Sequence, residues 1–97
     1  MFTETFAKRF LVSGTVQGVG FRYFAEGVAN RLGVTGFAKN LADGRVEVYA
    51  VGTAAQLDAL KSEIGRGPRM ARVERVDEII AEMLPEYSKS FTIGSEF

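Results

Sequence analysis

The chain of 97 residues contains no cysteine and no histidine. Without cysteine there is no disulfide, no thiolate nucleophile and no thiolate metal site. Without histidine the usual general base and the commonest metal ligand are both missing. Net charge is absent too, since twelve basic and twelve acidic residues cancel. That balance argues against the broad electrostatic footprint of a protein that binds nucleic acid or an anionic membrane. No apolar run approaches a membrane span, and no basic segment with an apolar stretch behind it opens the chain as a secretion signal would. The expectation is a cytoplasmic protein with neither a nucleic-acid nor a membrane partner. Linkers, repeats and low-complexity segments are also lacking, so residues 1–97 read as a single domain. What is present, 46% apolar and 25% charged residues, suffices for one core and leaves little for a second module. An enzyme of this composition must work without His, Cys or a zinc cage.

The patterning divides the chain into strands and helices. Lys8 to Ser13 reads as a first strand. Phe21, Phe24, Ala25, Val28, Ala29 and Leu32 fall on one face of a helix, and Gly33 sits where a glycine ends such a helix. Val34 to Lys39 and Arg45 to Val51 read as strands joined by the turn Leu41-Ala42-Asp43-Gly44, whose Asp-Gly pair is a hairpin signal. On the third strand Val46, Val48 and Ala50 share one face, and Glu47 and Tyr49 the other. Thr53-Ala54-Ala55-Gln56 has capping-box spacing ahead of Leu57, Leu60 and Ile64, which predicts a second helix ending near Gly65. A fourth strand covers Ala71 to Ile80, where the Val73 to Val76 spacing breaks alternation and implies a bulge. Phe91 to Ile93 makes a short last strand. The order β-α-β-β-α-β is that of the split βαβ, ferredoxin-like α+β fold: a mostly antiparallel sheet with two helices on one face. That fold hosts many unrelated activities, so function has to come from a site.

The most informative stretch is Gly14-Thr15-Val16-Gln17-Gly18-Val19-Gly20-Phe21-Arg22, where the first strand runs into the first helix. Glycines at a strand-to-helix turn let backbone N–H groups converge, and the helix N-terminus adds partial positive charge. An oxyanion, most often a phosphate, fits such a nest. Arg22 is a cation at the end of the helix where the macrodipole makes a cation cost about 0.3–1 kcal/mol. A bound phosphoryl group would turn that charge into a bidentate clamp. The plainer alternative is an exposed pair with Glu26, in the poorer orientation. Gln17 has a plain reading as a solvated loop amide, and Phe21 and Phe24 read as core. Asn40, at the end of the second strand, reads either as an Asx-turn residue or as a carboxamide beside the phosphate nest, able to hydrogen-bond a water there. Lys39 and Arg45 read as a solvated basic rim.

Val12-Ser13-Gly14-Thr15-Val16-Gln17-Gly18-Val19-Gly20-Phe21-Arg22 resembles the first signature of the acylphosphatases. Gly36-Phe37-Ala38-Lys39-Asn40, followed by Gly44-Arg45-Val46 and Gly52, resembles the second. With Gly67-Pro68, Ala71 and Val73 the resemblance spans about Lys8 to Ile93. It implies the ferredoxin-like fold and hydrolysis of the carboxyl–phosphate anhydride of a small acyl phosphate to a carboxylate and inorganic phosphate. It further implies that Arg22 and the backbone amides of Gln17, Gly18, Val19, Gly20 and Phe21 bind the phosphoryl oxygens, and that Asn40 orients the attacking water. Neither a metal nor another cofactor is implied, and inorganic phosphate or sulfate is the expected product-like ligand. A carboxylate leaving group, of pKa about 4–5, needs little help from a general acid, so the missing histidine is no obstacle.

Two other classes compete on the residues alone. Val19-Gly20-Phe21 and Tyr23-Phe24 faintly resemble the aromatic motif of an RNA-recognition domain, but that motif sits on a strand, and here the aromatics continue into a helical stripe. A phosphate-sensing domain that kept the nest and lost catalysis is the other. A monomer is expected, because the core assignment leaves no large apolar stripe on the surface.

Overall fold

A computed structural model describes residues 4–94. Its elements are β1 (Phe6–Thr15), α1 (Phe21–Leu32), β2 (Thr35–Asn40), β3 (Val46–Gly52), α2 (Ala54–Arg66), β4 (Arg72–Ile80), a 3₁₀ turn (Pro85–Tyr87) and β5 (Phe91–Ile93). The strands form one sheet in the order β4-β1-β3-β2-β5. All pairs are antiparallel except β2 with β5. The ferredoxin-like α+β arrangement read from the element order is therefore what the chain adopts. Among the described residues no helix is long and apolar enough to cross a membrane.

Alternation along the strands decides the two faces. Phe10, Val12, Val46, Val48, Ala50 and Ala38 pack against Phe21, Ala25, Val28 and Ala29 of α1 and Leu57, Leu60 and Ile64 of α2. Burying a side chain of Val, Leu or Phe size contributes about 1.5–3 kcal/mol, so this stripe on each helix fixes it to the sheet. α1 ends at Leu32 with Gly33 as its cap. α2 begins with the expected capping box: Gln56 N–H donates to Thr53 Oγ1 (3.1 Å) and Thr53 N–H to Gln56 Oε1 (2.8 Å). It runs past Gly65 to Arg66, and Gly67 caps it. The implied bulge is present. Ser13 lies opposite Arg75 and Gly14 opposite Val73, so Glu74 is the extra residue and both Val73 and Val76 pack onto the helix-side core.

The far face of the sheet holds a second cluster, which the patterning did not predict. Phe37, Tyr49, Ala7 and Val51 are covered there by Ala81, Leu84 and Tyr87. The buried Tyr49 hydroxyl donates to the Glu82 carbonyl (2.7 Å) and accepts from the Leu84 N–H (2.8 Å), tying the covering segment down. Phe6, Ala7, Lys8, Ala54, Ile80, Ala81 and Met83 line an apolar surface hollow of about 480 Å³.

Candidate active site

Topology brings the two sequence motifs together. β1 and β2 both run antiparallel to the β3 strand between them, so their C-terminal ends lie at the same edge. Val12, Val46 and Asn40 occupy one row across that edge. The chain leaves β1 at Thr15, turns through 16–20 and enters α1 directly above. Gly18 (φ 75°) and Gly20 (φ 78°) hold left-handed backbone in that turn, which residues with a Cβ adopt only at a cost. Gly20 is the N-cap of α1, and no side chain caps the helix. The first backbone bond runs from Phe24 N–H to the Gly20 carbonyl (3.0 Å), which leaves the N–H groups of the first turn without intrahelical acceptors. No acid stands in that turn to neutralise them.

Val16, Gly18, Gly20, Phe21, Arg22, Tyr23 and Asn40 line one hollow of about 110 Å³ at this helix end. At ~30 Å³ for each water of liquid, that is room for a small oxyanion with a water beside it. Arg22 is half-buried, and its Nη1 donates to the Gly94 carbonyl (3.1 Å) just beyond β5. That bond helps to hold the guanidinium over the first turn. Asn40 is buried at 7% exposure, on the helix side of β2 beside Ala38. It ends a strand and lines the hollow.

Of the expected site residues, Gly18, Gly20, Phe21, Arg22 and Asn40 line the hollow, whereas Gln17 and Val19 do not. Val19 packs against the core. The Gln17 carboxamide is not a solvated amide: its Nε2 donates to the carbonyls of Leu41 (2.8 Å) and Arg45 (2.9 Å). Val16 and the exposed Tyr23 join the lining without having been singled out. Val16 lies beyond the first strand as read from the sequence, and Tyr23 entered that reading only through the RNA-recognition alternative. Lys39 and Arg45 do not form a basic rim. Lys39 lies on the other face, paired with Glu47 (3.8 Å) and placed over the Phe37 ring. Arg45 is engaged with Asp43. The Arg45 backbone N–H, with its guanidinium adding to the effect, holds the Asp43 carboxyl below its ordinary pKa of 3.8. Among the described residues no three Asp, Glu, His or Cys side chains cluster as metal ligands would. The RNA reading loses its basis, because Phe21 is buried on a helix and offers no stacking platform on a strand.

Comparison with known proteins agrees with this geometry. The family model described as Acylphosphatase matches residues 8–93. The chain belongs to the acylphosphatase family. An acylphosphatase of Archaeoglobus fulgidus is 49% identical over 83 residues, covering 86% of this chain and 91% of that one. An acylphosphatase of Koribacter versatilis is 48% identical over 87 residues, covering 89% of this chain and 77% of that one. Among solved structures, the acylphosphatase from Bacillus subtilis superposes with a TM-score of 0.86 at 32% identity, covering 95% of this chain and 100% of that one. The acylphosphatase from Coxiella burnetii gives 0.80 at 30% identity, with 93% of each chain covered. Acylphosphatases hydrolyse acyl phosphates, and this chain is an enzyme of that class.

Proposed function

We propose that the hollow at the α1 N-terminus binds the phosphoryl group of a small acyl phosphate and that hydrolysis occurs there by direct attack of water. The observation that carries this is convergence: Arg22 and Asn40, eighteen positions apart in the chain, meet at one hollow with Gly18 and Gly20. In this reading Arg22 and the backbone N–H groups of Gln17 to Phe21 grip the non-bridging oxygens, and the Asn40 carboxamide orients the water. The water oxygen forms a bond to phosphorus as the bond from phosphorus to the acyl oxygen breaks. The electron pair leaves with the carboxylate, and the water proton passes to the phosphate. Phosphoryl transfer is mainly positioning plus stabilisation of charge on the equatorial oxygens, so a guanidinium, a ring of amides and one carboxamide supply what it requires. No metal or other cofactor takes part. The enzyme acts as a cytoplasmic monomer, and inorganic phosphate or sulfate competes with substrate.

The test is hydrolysis of benzoyl phosphate, followed by its ultraviolet absorbance in the presence of EDTA. Turnover is expected in the natural protein, with substrate binding lost in Arg22→Ala. In Asn40→Ala turnover should fall to a small residual rate that inorganic phosphate still inhibits. A folded natural protein that binds phosphate and leaves the acyl phosphate intact would make the hollow a receptor. Normal turnover by Asn40→Ala would remove the water-orienting role.

A further inference from the structure

The Gln17 side chain has a job that the hollow alone does not reveal. It does not line the site, yet it stands one residue before Gly18 of the nest, and its Nε2 spends both protons on carbonyls of the β2–β3 hairpin. Because both partners are carbonyls, only the NH₂ end of the amide can face them. One of these carbonyls belongs to Leu41, the residue directly after Asn40. The other belongs to Arg45, which pairs across the turn with Leu41 through Leu41 N–H (2.8 Å). The Leu41 carbonyl also accepts from Gly44 N–H (3.2 Å), so Gln17 locks onto a turn that is already closed by its own bonds. A single half-buried side chain thus couples the phosphate loop to the segment that carries Asn40.

We infer that Gln17 is a positioning residue: its carboxamide sets the separation between the phosphoryl-binding loop and the Asn40 carboxamide. The inference rests on the mechanism proposed above. It also accounts for the residue type. Glutamate has no proton to donate and would set a carboxylate against two carbonyl oxygens, while asparagine is one methylene short of reaching both. Methionine keeps the length of the chain and removes the donors. The hairpin should survive that change, because each carbonyl keeps a backbone donor.

The experiment is a double-mutant cycle between Gln17→Met and Asn40→Ala, reading kcat, KM for benzoyl phosphate and the inhibition constant of inorganic phosphate. Misplacing a reacting group by about 1 Å can cost ~100-fold, so Gln17→Met should lower kcat by roughly 10- to 100-fold. Phosphate inhibition should change by less than about 3-fold, because Arg22 and the amides remain. The double variant should turn over no more slowly than Asn40→Ala alone, within about 2-fold, since the lost positioning acts through Asn40. Losses that multiply in the double variant would overturn the inference and leave the mechanism standing. An unchanged kcat in Gln17→Met would overturn it as well, and so would a kcat loss matched by an equal weakening of phosphate. Should Gln17→Met melt below the assay temperature, Gln17→Asn gives the same reading, with a smaller kcat loss expected. Full turnover in Asn40→Ala, a result independent of Gln17, would overturn the mechanism and this inference together.

Discussion

Arg22→Lys separates charge from shape at the proposed phosphoryl site. Arginine offers a planar fork that meets two phosphoryl oxygens at once, and its Nη1 is anchored on the Gly94 carbonyl. Lysine retains the positive charge, but its single ammonium cannot hold the carbonyl and two oxygens in one plane. Hydrogen bonds to charged groups are worth about 1.5–3 kcal/mol each. Losing one should therefore lower kcat/KM by roughly 10- to 150-fold, since 1.36 kcal/mol is tenfold. Arg22→Ala loses both and the charge, and should fall by about 10²- to 10⁴-fold. The assay is benzoyl phosphate hydrolysis at substrate concentrations below KM, with thermal melts to establish that all three proteins are folded at the assay temperature. A second readout is ligand protection. Phosphate at about 100 times its Kd should stabilise the natural protein by ~2.7 kcal/mol, and Arg22→Ala at the same concentration hardly at all. Arg22→Lys within about 3-fold of the natural protein would refute the fork, leaving Arg22 as a point charge. Equal rates for Arg22→Lys and Arg22→Ala would refute the charge contribution itself.

Two further predictions concern the scaffold. Tyr49→Phe removes a hydroxyl that bridges the Glu82 carbonyl and the Leu84 N–H in a fully buried position. At about 1 kcal/mol net per bond, with an added cost for the N–H left behind, the loss should be ~2–3 kcal/mol. That corresponds to a Tm lower by roughly 10–20 °C for a domain of this size. Turnover at 25 °C should be unchanged, because Tyr49 faces away from the hollow, and a Tm within about 2 °C of the natural protein would show that the covering segment is not held this way. Glu78 accepts from Lys8 and also pairs with Lys61 (3.0 Å). The Lys8 bond, then the Lys61 bond, lower its pKa from the ordinary 4.5. A lowered folded-state pKa contributes stability that is present above 4.5 and is lost as pH falls below it. The Tm difference between the natural protein and Glu78→Gln should therefore be small and positive at pH 7 and shrink as pH falls from 4.5 through the lowered folded-state pKa; a difference that does not shrink on acidification would contradict the pairing.

How much of this was legible follows from where each signal resides. Signals local to a few residues were readable: the α1 stripe from Phe21 to Leu32, the Thr53–Gln56 capping box, and the Val73-to-Val76 spacing that became the Glu74 bulge. Each is written in the period or the cap chemistry of one segment. The cover of the far face was not. Residues 81–90 have no helical or strand period, and what holds Leu84 and Tyr87 in place is a hydroxyl on β3, thirty-five positions before Leu84.

The site divides along the same line. Arg22 stood out because it broke a local rule, a cation at the positive end of a helix, and the Gly94 carbonyl is one acceptor it finds there. Asn40 could be placed beside the loop only through strand order, since a strand-end asparagine alone favours an Asx turn. Lys39 shows the limit of adjacency. It neighbours Asn40 in sequence, but the two-residue period of the strand sends it to the opposite face, onto Glu47 and the Phe37 ring. Gln17 shows the complementary limit. Its partners are backbone carbonyls, identical at every residue, so no side chain in Leu41-Ala42-Asp43-Gly44-Arg45 could have announced them. A side chain that bonds to backbone leaves its mark on one half of the contact only. Such contacts, rather than ion pairs or stacked rings, are where sequence reading of a sparse active site loses the residues that set its geometry.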